Sequence, residues 1–149
     1  MAAVEDIETL VKFRVEMFRE MGKLTGSAAE QDLTATLRKW FRVMMTAERF
    51  FAWLAVENGE IIGSSGLVLL LKPPSPDNIS GIEGYVMNMY TVPSHRGKGI
   101  ATALLEECVR FASAAGAGRL SLHASSLGQP VYDKFGFVQS PTEMRMTLG

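Results

Sequence analysis

An apolar run over residues 85–92 is stopped by Pro93 and followed at once by His95-Arg96-Gly97-Lys98-Gly99. Beyond it Ala101, Leu104, Leu105, Cys108, Phe111 and Ala112 recur at helical spacing. The pattern predicts a strand, a Gly-rich turn and a helix that Gly116 and Gly118 terminate, with a short uncharged strand over residues 120–124 behind them. A strand-helix-strand crossover of this kind joins parallel neighbours in one sheet, which puts the chain among α/β layouts.

The residues before the crossover predict antiparallel pairing and two leading helices. Ile7, Leu10, Val11, Phe18 and Met21 form one helical stripe, with Arg14 inside it and Gly22 as its stop. Ser27 and Glu30 have the spacing of a capping box, ahead of a second stripe of Leu33, Leu37, Trp40, Phe41 and Met44. Residues 50–57 and 60–71 read as strands joined by Asn58-Gly59, a dipeptide suited to the positive φ angles of a tight hairpin. The prolines and Gly81 of residues 72–83 predict a surface loop. Residues 128–134 suit a short helix, and residues 137–138 and 143–147 suit closing strands around Pro141. The expected order is α-α-β-β-β-α-β-α-β-β, an α/β (α+β) fold with a mixed sheet flanked by helices.

Length and composition narrow the function classes. At 149 residues with 47% hydrophobic and 21% charged side chains, the chain suits a single domain over residues 1–149 rather than a disordered or coiled-coil protein. A formal net charge of -1 leaves no basic excess for nucleic acid. The longest uncharged apolar stretch, residues 61–71, is too short for the ~20 residues that span a bilayer, so no membrane partner is expected. A single Cys108 forbids an internal disulfide, and no basic-then-apolar leader precedes the first helix, so the expected location is cytoplasmic. Cys108 falls on the apolar stripe, where a thiol behaves as a small hydrophobe. His95 and His123 are the only histidines and no C-x-x-C occurs, so no metal is implied.

Chemistry concentrates at the Gly-rich turn. A helix start leaves backbone N–H groups without partners and carries about half a positive charge, so it can receive a phosphate. Gly97 and Gly99 let the backbone approach a bulky anion, and Arg96 and Lys98 add positive charge. A diphosphate cradle is the functional reading; a solvated turn with a helix-start glycine is the bland one. The P-loop is excluded because Gly99, not Ser or Thr, follows Lys98, and the Rossmann pattern fails at Thr102, where its third glycine would stand. The Gly-Ser-Ser-Gly of residues 63–66 lacks the final glycine of a serine-hydrolase elbow, which would fall at Leu67.

Together these residues resemble the GNAT superfamily of acetyl-CoA-dependent N-acetyltransferases. Arg96, Gly99 and Ala101 fit the family's R/Q-x-x-G-x-G/A, and Val131-Tyr132-Asp133-Lys134-Phe135-Gly136-Phe137 fits its L-Y-x-K-x-G-F with valine for the leading leucine. Where the family usually carries an Asn and, three residues on, an Ala, this chain has Ser125 and Gly128. Helix-like sequence begins near Val4, so the family's usual first strand is absent or very short.

The resemblance implies a splayed central sheet that holds acetyl-CoA, the acyl-donor substrate, between the strand ending at residue 92 and the one over residues 120–124. Backbone groups of Met89, Tyr90, Thr91 and Val92 would pair with the pantetheine arm. Arg96, Gly97, Lys98, Gly99, Ile100 and Ala101 would bind the pyrophosphate, and the Ser125 hydroxyl would replace part of the family's Asn contact. Tyr132 would be catalytic, protonating the departing CoA thiolate.

The implied activity is transfer of an acetyl group to a primary amine of an unidentified acceptor, by direct attack in a ternary complex. The alternative is an acyl-CoA-binding regulatory or interaction domain with little catalysis. The family also leaves room for a homodimer. Acceptors would be read by the first two helices and by loops such as residues 72–83. Glu83 and His123 are candidates for the base that deprotonates the amine, and each also suits an ordinary structural role. Asn88, inside an apolar strand, must find hydrogen-bond partners if buried. Arg14 is expected to be a buried ion-pair partner.

Overall fold

The computed structural model describes residues 1–149. Its elements are helices α1 (Ile7–Glu20) and α2 (Ser27–Thr46), strands β1 (Phe50–Glu57), β2 (Glu60–Leu71) and β3 (Ile82–Thr91), helix α3 (Ile100–Ala114), strand β4 (Arg119–Leu122) and helix α4 (Gln129–Phe135). Short 3-10 turns occupy Val4–Asp6 and Pro93–His95.

The four strands form one mixed sheet in the order β1-β2-β3-β4. β1 and β2 pair antiparallel across the hairpin at Asn58 and Gly59, whose φ angles of 51° and 81° are those the dipeptide was expected to supply. β2 and β3 are antiparallel, while β3 and β4 are parallel through the α3 crossover.

Two apolar clusters cover the two faces. Ile7, Leu10, Val11 and Val15 of α1 and Leu37 and Phe41 of α2 pack with Phe50, Ala52 and Val68 on one face. Leu104, Leu105, Cys108 and Ala112 of α3 pack with Trp53, Leu67, Val86 and Tyr132 on the other. The alternation of a strand explains the split, since Val86 faces α3 while its neighbours Tyr85 and Met87 pack toward α1.

Several local expectations fail for identifiable reasons. The Ser27-Glu30 capping box does not form, because Gly26 at φ 96° takes the N-cap position and makes Ser27 the first helical residue. Glu30 instead binds Arg19 at 2.6 Å, tying α2 to α1. The closing strands at residues 137–138 and 143–147 are also absent. β4 is four residues long and offers a short ladder, and Val138, Met144 and Met146 remain 89%, 94% and 81% exposed. No strand precedes α1; a single bond from the Ala2 N–H to the Ala52 carbonyl, 2.8 Å, lies where it would begin.

The loop before β3 is tied down rather than open. Lys72 N–H bonds the Gly81 carbonyl at 2.8 Å, the Gly118 N–H bonds Ser80 Oγ at 3.1 Å, and Arg119 pairs with Asp77. Glu83, 5% exposed, receives Lys72 Nζ at 2.8 Å and Ser121 Oγ at 2.7 Å. These contacts lock the end of the sheet where β3 and β4 begin.

Candidate active site

At the other end of the sheet β3 and β4 separate. They pair only from Glu83 with Arg119 to Val86 with Leu122, so the edge of β3 beyond Val86 has no strand neighbour. A bulge sharpens the divergence: the β2–β3 register shifts between Ser64 and Gly66, and Asn88 adopts φ 55°. Buried side chains hold the bulge. Ser64 Oγ donates to the Asn88 carbonyl at 2.8 Å, and Asn88 Nδ2 donates to the Leu10 carbonyl at 3.3 Å. Ser65 Oγ reaches the Leu104 carbonyl at 3.2 Å, so the serines of residues 63–66 are struts between β2 and its neighbours.

The splay opens into a cavity of about 510 Å³, lined by Met17 and Glu20 of α1 and Met21 just after it, residues 89–91 of β3, the turn into α3, and residues 125–132 in part. Within that turn the N–H groups from Gly97 to Thr102 have no acceptor in the protein, and α3 begins without a side-chain cap. A row of free amides at a helix start is an anion receptor. Gly97 and Gly99 have φ angles of 76° and 81°, and a Cβ on either would meet nothing within 4 Å. Glycine is therefore required there by the left-handed backbone, while the space above it stays open to a ligand.

Tyr132 sits on the opposite wall. α4 follows a turn in which Ser125 Oγ and the Ser125 carbonyl both accept the Gly128 N–H, at 3.2 and 3.1 Å. The Ser125 hydroxyl thus organises the entry to α4. The Tyr132 ring is 8% exposed, packs edge-on near Phe137 and lines the cavity. Its hydroxyl has no hydrogen-bond partner in the protein, and burial, with a smaller effect of Cys108, pushes its pKa up to about 12. Burial likewise pushes the Cys108 thiol up to about 11, consistent with a core hydrophobe.

Other sequence-derived site residues are redistributed. Met89, Tyr90, Thr91, Gly97, Gly99, Ile100, Ala101, Ser125 and Tyr132 line the cavity, whereas Val92 and Lys98 do not. Val92 spends its N–H on the Ile62 carbonyl at 2.9 Å, and the Lys98 side chain is solvent-facing. Arg96 lines the cavity, but its side chain turns back from the cradle. Its Nε donates to the Thr91 carbonyl at 2.9 Å and its Nη2 grips Glu20 at 2.7 Å. Tyr90 donates its phenolic proton to the same carboxylate at 3.0 Å. Burial and Glu20 together push the Tyr90 pKa up to about 12.

Glu83 lies at the locked end of the sheet and does not line this cavity. His123 stands just past β4, with Nδ1 2.6 Å from the Tyr85 hydroxyl and Nε2 3.3 Å from Glu143. Residues 72–81, expected to face the acceptor, are likewise at the far end and line none of the cavity. Arg14, expected in an ion pair, has none; its guanidinium lies 4.8 Å from the centre of the Phe18 ring. Sequence reading missed that Met17 and Glu20 of α1 wall the cavity, and it placed Met21 only on an apolar stripe that pointed to a core.

The sequence pattern of the Acetyltransferase (GNAT) family matches residues 11–137. The chain belongs to the GNAT acetyltransferase family. Its fold matches a GCN5-related N-acetyltransferase from Ralstonia eutropha JMP134 with a TM-score of 0.90, at 29% identity over 99% of this chain and 95% of that one. It also matches a predicted acetyltransferase with acetyl-CoA from Clostridium acetobutylicum, TM-score 0.87, at 32% identity over 98% of this chain and 92% of that one. Among curated proteins, a glucosamine 6-phosphate N-acetyltransferase from Trypanosoma brucei brucei is 28% identical over 90 residues, 60% of this chain and 59% of that relative. The chain thus spans about three-fifths of that curated relative.

Proposed function

We propose that this GNAT acetyltransferase moves the acetyl group of acetyl-CoA to a primary amine by direct attack within a ternary complex. The observation that carries the reading is the pairing, across one cavity, of the free amides of Gly97 to Thr102 with a Tyr132 hydroxyl that no protein group engages. The presence of acetyl-CoA in the Clostridium relative supports the choice of donor.

In this reading the pyrophosphate sits on the backbone of residues 97–101, and the pantetheine amides extend along the unpaired edge of β3 through Met89, Tyr90 and Thr91. Ser125 holds the start of α4 so that Tyr132 meets the thioester sulfur. The amine nitrogen attacks the thioester carbon; the C–N bond forms, the C–S bond breaks, and the sulfur takes the Tyr132 proton. The amine's own proton leaves to solvent, and the tyrosinate is reprotonated from water.

Proton transfer from the Tyr132 hydroxyl to the departing thiolate is uphill on the values of the two groups. A phenol at about 12 facing an ordinary thiol of ~8.5 would be uphill by ~5 kcal/mol. A preformed hydrogen bond from the Tyr132 hydroxyl to the sulfur would offset part of that difference.

One observation favours the second reading, a domain that binds acyl-CoA with little catalysis: the carboxylate and imidazole that line the cavity are both engaged. Glu20 holds Arg96, and His95 Nε2 is 2.9 Å from Glu57. Thiol release from acetyl-CoA across a panel of amines separates the two. Acetylation of at least one amine, verified by product mass, is the expected result; tight acetyl-CoA binding with no amine-dependent thiol release would favour the binding domain.

A further inference from the structure

Arg14 is a cation whose counter-ion is missing from the fold. It lies midway along α1, half-buried, makes no hydrogen bond and has no carboxylate in ion-pair range. The comparably buried Arg96 is paired with Glu20, and the other arginines without an ion pair, Arg42 and Arg49, are exposed to water. Burial pulls the Arg14 pKa below its ordinary value, although a guanidinium remains charged at neutral pH. A desolvated charge is costly unless something pairs with it.

Its position says where that partner comes from. One turn earlier, the Leu10 carbonyl is held by Asn88 at the β3 bulge, so this stretch of α1 lies over the point where the sheet opens. Tyr85, whose phenol feels the Arg14 charge, bonds His123, the first residue past β4. The free amides and Tyr132 approach the same opening from the α3 and α4 side. Met17 and Glu20 of α1 wall the cavity and Arg14, three residues before Met17, lies just outside that lining, so a nucleophile that enters the splay from the α1 side would pass it. The charges that act on Tyr85 are Arg14 from α1 and Glu143 and Arg145 from the C-terminal segment. That one carboxylate is already engaged by Arg145 at 3.2 Å and His123 at 3.3 Å.

We infer that Arg14 is a specificity-determining residue that binds an anionic group of the acceptor, so that the preferred substrate is an amine bearing a phosphate or carboxylate. The inference rests on the acetyl-transfer reading above and adds the acceptor's chemical class. The anion docks on the guanidinium, and the amine reaches past Tyr85 into the splay. The bland alternative, a side chain stacked on Phe18 for packing alone, predicts no ligand preference.

The test uses protein saturated with CoA and acceptor pairs that differ only in the anion. Glucosamine 6-phosphate against glucosamine and phosphoethanolamine against ethanolamine probe phosphate; 4-aminobutyrate against butylamine probes carboxylate. Calorimetry should find at least one anionic member binding tenfold or more tightly than its neutral partner, and the phosphate and carboxylate arms identify which anion is read. In Arg14→Met, which keeps a long apolar stem against Phe18, the advantage should vanish, while Arg14→Lys should retain part of it. The Met variant should unfold no earlier than wild type, since a half-buried charge without a carboxylate partner is removed, and its acetyl-CoA affinity should be unchanged. Equal binding within every pair, no binding by any anionic member, or an anionic advantage that survives in Arg14→Met overturns the inference. Thiol release, measured separately, reports on acetyl transfer itself, so the two readings fail independently.

Discussion

Arg96 and Glu20, 76 residues apart in sequence, are joined by guanidinium-to-carboxylate bonds of 2.9 and 2.7 Å, and the same carboxylate accepts the Tyr90 hydroxyl. An arginine placed among cradle residues by its sequence position is thus spent on anchoring the C-terminal end of α1 to β3. In the proposed reading Arg96 shapes the cavity wall, and the phosphates would be left to backbone amides.

A double-mutant cycle checks this division of labour. Arg96→Ala and Glu20→Ala should be non-additive in unfolding free energy, with a coupling of about 0.5–1 kcal/mol, the modest value expected of a half-exposed pair. The Arg96→Ala variant should retain most of the salt dependence of acetyl-CoA binding. A salt slope reduced by a full charge would mean that the guanidinium does contact phosphate.

At Gly99 the backbone and the ligand make separate demands. With φ at 81° and open space around its Cβ, Gly99→Ala should cost about 1–2 kcal/mol of stability from the left-handed conformation, with a modest change in acetyl-CoA affinity. Gly99→Glu adds a carboxylate where the phosphates are proposed to sit, so affinity should fall at least tenfold, about 1.4 kcal/mol, with the fold retained. Calorimetry on both variants separates the effects, and equal affinities would remove the cradle from this turn.

What the sequence disclosed and what it withheld follow from the range of the interactions. Helix stripes, the Asn58-Gly59 hairpin and the strand-turn-helix at residues 85–112 depend on neighbours a few residues apart, and each formed close to its expected bounds. The turn of free amides at residues 97–102 was legible for the same reason. Most of the failures depend on distant partners, and the capping box is the exception. Ser27 lost its capping role to the adjacent Gly26 while Glu30 was drawn to Arg19, and residues 143–147 had strand-like composition but no ladder to join. Arg96 turned from the cradle because α1 brings Glu20 beside it, and Arg14 lacks the partner its burial suggested. No spacing rule in one sequence encodes such pairings.

Glu83 supplies a pH signature at the far end of the sheet. Burial alone would raise its pKa, but Lys72 and the Ser121 hydroxyl hold it below the ordinary carboxylate value. The folded state therefore binds this proton less tightly than the unfolded chain does. The resulting stabilisation is complete above the unfolded value of ~4.3 and is lost as pH falls through the lowered folded value. Glu83→Gln should destabilise the protein at pH 7 by on the order of 1–3 kcal/mol, with the gap to wild type closing in acid. Acetyl-transfer KM values at neutral pH should stay near wild type, because this carboxylate lies outside the cavity. Urea midpoints at pH 7 and pH 3 measure the first effect, and a gap independent of pH would show that the charge is not what stabilises.

Tyr132 carries the most decisive prediction. Its hydroxyl faces the cavity without a protein partner, so Tyr132→Phe preserves the ring's packing against Phe137 and leaves no donor or acceptor orphaned. Stability and acetyl-CoA affinity should therefore change little. General-acid groups typically contribute 10²–10⁴-fold, so kcat with an accepted amine should fall by roughly two orders of magnitude while KM for the donor holds. The wild-type hydroxyl, pushed up to about 12, stays protonated across the assay range, so its titration should not appear as an alkaline limb below pH 10. The loss in the variant should shrink when the leaving thiol is made more acidic, since a better leaving group needs less protonation. If Tyr132→Phe retained the wild-type rate in an assay limited by chemistry, the hydroxyl would have no part in the reaction and water would protonate the departing sulfur.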